Sequence, residues 1–281
     1  MINTKKILVG IVLYNPNLPR LQQNIDAVAH EVDSILLVDN ASKNINDVDL
    51  FAKENKIELI CNKKNRGLPH VFNSMISYAQ ENGFNNLLLL DQDSVFHKDA
   101  VKYYREYISS NYVCIVPKII QRLEEYEKKF GEKEVLETEV EFAINSGTLI
   151  NLEILPSDIR FNEKLFVDCV DFDFFIQLRK RSLKILMVNK IKLLCDLGNL
   201  SVHRFHHIDF FANNYSTFRL EKQARDRVIF LFNHFKNPLA KEVFLHSALE
   251  YLMILMFEKQ KVSKIFAVIK GFAKGIIALF R

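Results

Sequence analysis

The chain has 281 residues, 49% of them apolar and 26% charged, a balance that supports one large core with an appendage and excludes a small disulfide-stapled scaffold. Its formal net charge of only +4 excludes the strong basic field of a general nucleic-acid binder, so no nucleic-acid partner is expected. Four cysteines (Cys61, Cys114, Cys169, Cys195) lack any metal-ligand spacing, which excludes a zinc ribbon and fits reduced thiols.

In chain order, the first third alternates short apolar runs with helix-period segments, the pattern of βαβ units on a mostly parallel sheet flanked by helices. Strands are expected at Ile7 to Leu13, Ser34 to Val38, Ile57 to Cys61 and Asn86 to Leu90, with helices near 18–31, 46–55 and 68–82. The N-terminus enters the first strand with no apolar run of signal-peptide length and no cleavage site, so the chain is expected to act inside the cell. Gln121 to Glu141 is rich in Glu and Lys and reads as a solvated loop or hairpin insertion. AINSGTLIN (143–151) reads as a strand pair, and FVDCVDFDFFIQLRKR (166–181) as a loop entering a helix. Val243 to Phe257 is apolar but contains His246 and Glu250 and falls short of the ~20 residues needed to span a bilayer. Beyond it, Val262, Ile265, Phe266, Ile269, Phe272, Ala273, Ile276, Ile277 and Phe280 recur at helical spacing, flanked by Lys261, Lys264, Lys270, Lys274 and Arg281. Such a helix can lie in an anionic membrane interface, or pack on its own domain or on a second subunit as a homodimer.

Ligands of open α/β sheets bind beyond the carboxyl ends of the strands, so Tyr14, Asn15, Asp39, Asn40, Asn62 to Gly67 and Asp91 to Ser94 are the residues to inspect. LLDQDS (89–94) ends an apolar run in two carboxylates one residue apart. In an extended backbone Asp91 and Asp93 point the same way, and like charges that close call for a cation such as Mg²⁺ or Mn²⁺. The bland alternative is a solvated turn or a helix cap.

The blocks IVLYNP (11–16), LLVDNAS (36–42), NKKNRGLPHVFN (62–73) and LLDQDS, in this order and spacing, resemble inverting glycosyltransferase family 2 of the GT-A fold, in particular its bacterial rhamnosyltransferase branch. The resemblance covers roughly residues 5–230. It implies a nucleotide-binding half over 1–115, an acceptor-binding half over 142–235, and a helical appendage at 239–281. Tyr14 and Asn15 would lie against the base, Asp39 would accept from the pyrimidine N3 hydrogen beside Asn40, and Asn65, Arg66 and Gly67 would line base and ribose. Asp93 would hold the metal, with Asp91 on the ribose side. Ser146 and Gly147, after Asn145, match a small-residue turn around the donor sugar and phosphates. Asp171 aligns with the catalytic base; the bland reading of Asp168, Asp171 and Asp173 is helix capping. Arg219 and Arg225 resemble diphosphate-binding elements, with Asp226 where relatives have Asn, and Asp196 stands where relatives often have His, near His203, His206 and His207. Leu13 stands where the family often has Thr.

The function so implied is metal-dependent transfer of a sugar, rhamnose from dTDP-rhamnose or a hexose from a UDP donor, to a lipid-linked or growing surface polysaccharide. The expected place is the cytoplasmic face of a bacterial membrane. A catalytically inactive carbohydrate- or nucleotide-binding subunit is the alternative of another class. A sugar nucleotidyltransferase should carry a Gly-rich phosphate loop where LYNPNLPR (13–20) stands, and no GxGxxG follows the first strand as an NAD enzyme requires.

Overall fold

The structure is a computed structural model that describes residues 5–120, 136–195, 201–205 and 208–280, with the backbone alone at 202–205 and 208–211. The chain forms two compact units, Met1–Phe161 with Asp171–Asp196, and Asn162–Val170 with Leu197–Arg281.

The first unit begins with β1 (Ile7–Leu13), all seven of whose residues are buried, as a strand covered on both faces requires. It pairs in parallel with β2 (Ser34–Asp39) and with β4 (Asn86–Asp91), and β2 pairs in parallel with β3 (Glu58–Cys61). The crossovers are α1 (Leu18–Asp26), α2 (Ile45–Glu54) and α3 (Leu68–Glu81). Asn17 caps α1 by accepting from the Arg20 N–H at 3.0 Å, and Pro19 lies in its first turn, where its missing N–H costs nothing. Expected to reach residue 31, α1 stops at Asp26 and gives way to turns.

The rest of this unit adds β5 (Val95–Phe96), α4 (Ala100–Tyr107), β6 (Cys114–Ile120), β7 (Glu137–Val140), β8 (Leu149–Asn151), α5 (Val170–Lys180) and β9 (Ile185–Leu194). The nine-stranded sheet runs β3-β2-β1-β4-β8-β6-β9-β5, with β7 also on β9. Its first four strands are parallel; β8 runs antiparallel between β4 and β6, while β6 and β9 are parallel. The strand pair expected in 143–151 is one strand, β8, after a turn. The acidic insertion ends in β7, which pairs with β9, and its residues 121–135 lie outside the described ones. Leu21 and Ile25 of α1 and Tyr104 of α4 pack with Ile7, Ile11, Leu37, Leu88 and Leu90 in the main core.

The second unit contains the antiparallel hairpin β10 (Ser201–Phe205) and β11 (Ile208–Ala212), then α6 (Thr217–Asn233), α7 (Pro238–Phe257) and α8 (Lys261–Leu279). No described helix is long and apolar enough to cross a membrane. Glycine decides how α8 meets α6: a Cβ on Gly271 would lie 2.3 Å from the Glu221 carbonyl oxygen, and one on Gly275 2.7 Å from the Val228 Cβ. Only residues without side chains let the two backbones approach so closely.

Asp226 of α6 is fully buried and clamps the loop 162–170. One carboxylate oxygen accepts from the backbone N–H groups of Phe166 (2.9 Å), Val167 (2.8 Å) and Asp168 (3.1 Å), and the other from Arg225 at 2.8 Å. Beside it Arg227 bonds Asp168 and Glu250, each at 2.5 Å. Burial pushes the Asp226 carboxyl up to about 6, against the pull of the three N–H donors and Arg225. Folding therefore takes up a proton between the ordinary value of 3.8 and about 6, and this group's contribution to stability falls as pH rises through that window. Asp226→Asn keeps an acceptor for the loop and removes the titration. Its stability relative to wild type is expected to improve by on the order of 2 kcal/mol between pH 4 and pH 7 in parallel thermal or urea melts.

Candidate active site

Three neighbouring strands bring the candidate residues to one edge of the sheet. Leu13 pairs with Asp39 and Val12 with Asp91, so the ends of β2 and β4 flank that of β1, which puts Asp39 and Asp91 about 10 Å apart at ordinary strand spacing. Asp39 is 1% exposed. One of its oxygens accepts from the Ser42 N–H at 2.9 Å; the other, Oδ1, is buried with no hydrogen-bond partner. Asn15 takes a left-handed conformation (φ 51°) that an Asx side chain tolerates. Its N–H donates to the Ser42 hydroxyl at 2.7 Å and its side-chain oxygen accepts from the Lys43 N–H at 2.8 Å, which ties the loops after β1 and β2 together. Tyr14 leaves its ring 43% exposed at this edge.

Asn40 and Asn65 act on the loop that precedes α3. Asn40 donates to the Asn65 side-chain oxygen at 3.0 Å and accepts from the Arg66 N–H at 3.0 Å and the Asn62 side chain at 3.3 Å; Asn65 also accepts from the Gly67 N–H at 3.0 Å. Gly67 sits at φ 84°, the turn that starts α3, and Arg66 is exposed. Both asparagines thus shape the loop, while its exposed side chains face outward.

The acidic pair is placed by a turn rather than by strand alternation: β4 ends at Asp91, and the Ser94 N–H closes back onto the Asp91 carbonyl at 3.3 Å. Four neighbours hold this turn. Asn24 of α1 donates to the Asp91 carbonyl (2.7 Å) and Arg20 to the Asp93 carbonyl (2.9 Å). Gln92 accepts from the Tyr14 N–H (2.8 Å) and donates to its carbonyl (3.3 Å). The Ser146 hydroxyl accepts from the Asp91 N–H (3.1 Å) and donates to the Ser94 hydroxyl (2.9 Å). With the backbone so bound, Asp91 and Asp93 stay part-buried. Burial pushes the nearby Cys195 thiol up to about 11, the Ser94 hydrogen bond opposing and the charges of Asp91 and Asp93 adding to the rise. Among the described residues no three His, Cys, Asp or Glu side chains form a metal cage. Two adjacent carboxylates nevertheless suit Mg²⁺ or Mn²⁺, which bind through one or two protein carboxylates and leave the remaining positions to water and phosphate oxygens.

Gly147 has a structural cause. At φ 81° its added Cβ would lie 2.5 Å from Pro117 and 2.9 Å from Leu193, its N–H donates to the Leu89 carbonyl at 2.7 Å, and its carbonyl accepts from the Tyr104 hydroxyl. Its neighbour Asn145 buries a side-chain oxygen that has no partner.

The three carboxylates around the start of α5 meet different neighbours. Asp168, part-buried, is paired with Arg227, and Asp173, buried, accepts from Gln177 at 2.8 Å. Asp171 lies in the first turn, part-buried, with one oxygen accepting from the Phe172 N–H at 3.0 Å. In the second unit Arg225 pairs with Asp226, and Arg219 is exposed over the Tyr215 ring at 4.3 Å. Asp196, His206 and His207 lie outside the described residues, as does the side chain of His203.

Residues 8–184 match the model of the family described as "Glycosyl transferase family 2". The chain belongs to glycosyl transferase family 2. Over 210 residues, 70% of this chain and 71% of the relative, a family-2 chain of this sequence is 28% identical to "dTDP-rhamnosyl transferase RfbF" of Shigella flexneri. Among solved structures it resembles the mannosyltransferase PcManGT of Pyrobaculum calidifontis in complex with GDP-Man and Mn²⁺ (TM-score 0.57, 13% identity, 99% of this chain and 76% of that one). It also resembles S. aureus TarS 1-349 in complex with UDP (0.53, 14%, 95% and 70%). A third is GalNAc-T7 with UDP, GalNAc and Mn²⁺ (0.55, 14%, 73% of this chain), of whose length this chain spans 44%. These likenesses show the GT-A fold.

Sequence reading missed Arg20 and Asn24, and it gave Gln92 and Ser94 no role beyond their place in the acidic block. Only Asn24 carries a signal: it shares the buried face of α1 with Leu21 and Ile25, where a polar residue needs a partner. Gly147→Ala is expected to destabilise the protein by about 2–4 kcal/mol, from a left-handed alanine and an overpacked core, read as a fall in melting temperature.

Proposed function

We propose that this family-2 protein is an inverting glycosyltransferase that moves rhamnose from dTDP-rhamnose to a saccharide or lipid-linked acceptor. The observation that carries the reading is the unpartnered, buried Oδ1 of Asp39 at the strand edge. An acceptor atom left open there matches the N3–H of thymine or uracil, and closing it with a ligand recovers the cost of burying it. Tyr14 offers its exposed ring to the same base, with Arg66 and Gly67 near base and ribose. Rhamnose rather than a UDP-linked hexose is supported by the likeness to the dTDP-rhamnosyl transferase. In this reading residues 1–115 hold the donor.

Asp171 takes the proton of the acceptor hydroxyl. The first turn of a helix favours a negative charge, and Asp171 is only part-buried there. The acceptor oxygen bonds to the anomeric carbon from the side opposite the nucleoside diphosphate, whose bond to that carbon breaks, so configuration inverts. Asp91 and Asp93 would hold a Mg²⁺ or Mn²⁺ ion, whose chemistry offsets the charge of the departing diphosphate. The staples from Arg20, Asn24, Gln92 and Ser146 keep those carboxylates in place before the donor arrives.

The test is a transfer and donor-hydrolysis assay with dTDP-rhamnose, UDP-glucose, UDP-galactose and UDP-GlcNAc, with and without Mn²⁺. Asp171→Asn is expected to lose about 10²–10⁴-fold in transfer while nucleotide affinity stays within about twofold. Asp93→Ala is expected to lose metal-dependent donor use altogether. Wild-type transfer by Asp171→Asn removes it as the base.

A further inference from the structure

The second unit carries a large apolar surface that its own packing leaves uncovered. On α8, Ala267, Gly271 and Gly275 face inward. At 100° per residue the opposite side carries Val262, Phe266, Ile269, Ile276 and Phe280, with Ile277 beside them; every one is more than half exposed, Val262 at 85% and Phe280 at 86%. The stripe runs the length of a helix of about 28 Å. Leu245, Leu249 and Met256 of α7 are likewise exposed. Six large apolar side chains in one uninterrupted row are more than the scattered hydrophobics of an ordinary surface.

The flanking lysines do not all face solvent freely. Lys264 is buried against Glu258 at 2.5 Å, and Lys270 and Lys274 reach Glu221 of α6 at 3.0 and 2.5 Å, holding the helix on its unit. The charge of the whole region nevertheless remains one-sided. Residues 217–281 contain twelve Lys and Arg against five Asp and Glu, a net of +7; the whole chain is +4, so the other 216 residues sum to −3. Lys259 and Lys261 stand exposed at the start of the stripe, with Lys270 and Lys274 half-exposed along its flank.

We infer that the outward face of α8 is an interfacial docking surface for an anionic lipid bilayer, with the helix lying in the plane of the headgroups and the row from Val262 to Phe280 entering the acyl boundary. An apolar row flanked by cations on a helix too polar to span is the composition such binding needs, and the net charge of +7 is attracted to an anionic leaflet. A second copy of the chain is the poorer occupant. Two-fold pairing through this face would bring two regions of the same strong positive charge together. The inference is independent of the reaction proposed above.

The experiment is flotation of the purified full-length protein with two sets of vesicles, phosphatidylcholine alone and phosphatidylcholine with roughly one-third phosphatidylglycerol. Wild type is expected to bind the anionic vesicles at least about tenfold more tightly than the neutral ones and to be released by about 0.5 M NaCl. The triple variant Phe266→Ser, Ile269→Ser, Ile276→Ser changes only exposed side chains. It is expected to keep its circular dichroism and donor hydrolysis while losing about a hundredfold in vesicle affinity. Equal vesicle binding by wild type and variant overturns the inference, as does a wild-type dimer that the triple variant converts to monomer with no vesicle binding by either.

Discussion

Burying one carboxylate oxygen without a partner is the constraint at the ends of the central strands on which the proposed reading depends. Asp39 sits at the end of a strand enclosed on both sides, and the fold provides an N–H for only one of its oxygens. A buried acceptor left unmatched costs about 1–3 kcal/mol, and the surrounding loops do nothing to reduce it. Asn15, Ser42 and Lys43 bond one another across that strand end. Such an arrangement persists where a ligand supplies what the protein withholds.

The acidic turn two strands away follows the opposite rule. Its backbone groups are matched by Asn24, Arg20 and Ser146 and the Gln92 side chain by Tyr14, while Asp91 and Asp93 remain part-buried. The two places differ: at Asp39 a side-chain oxygen is left unmatched, whereas at the acidic turn the protein matches the backbone. Between them runs β1, whose seven buried residues make the platform rigid.

Much of this was legible from residues alone. The four parallel strands and three crossover helices stand where alternating apolar runs and helical periods put them, since buried parallel strands leave a continuous apolar signature. The place of Asp39, Asp91 and Asp93 at or just after a strand end was legible from the apolar runs that precede them. The geometry of the acidic pair was not, because a turn closed by Ser94 and an extended strand put the same letters in the same order. Gly147 matches a small-residue turn by sequence, yet its φ and the contacts with Pro117 and Leu193 are tertiary facts with no local signal. Asp168, Asp171 and Asp173 look alike in sequence, yet Asp168 pairs with Arg227 and Asp173 is buried against Gln177. Asp226 anchors a loop through three backbone N–H groups 58 to 60 residues away. The tail lysines read as a cationic flank, but Glu221 and Glu258 claim three of them.

The most direct test of the account is calorimetric titration of the protein with dTDP, UDP and CDP in Mn²⁺. Thymine and uracil carry a hydrogen on N3, whereas cytosine presents a lone pair there, which the open oxygen of Asp39 repels. The account expects dTDP and UDP to bind and CDP to bind at least about a hundredfold more weakly, since a mismatched buried polar contact discriminates strongly. CDP binding as tightly as dTDP would contradict it.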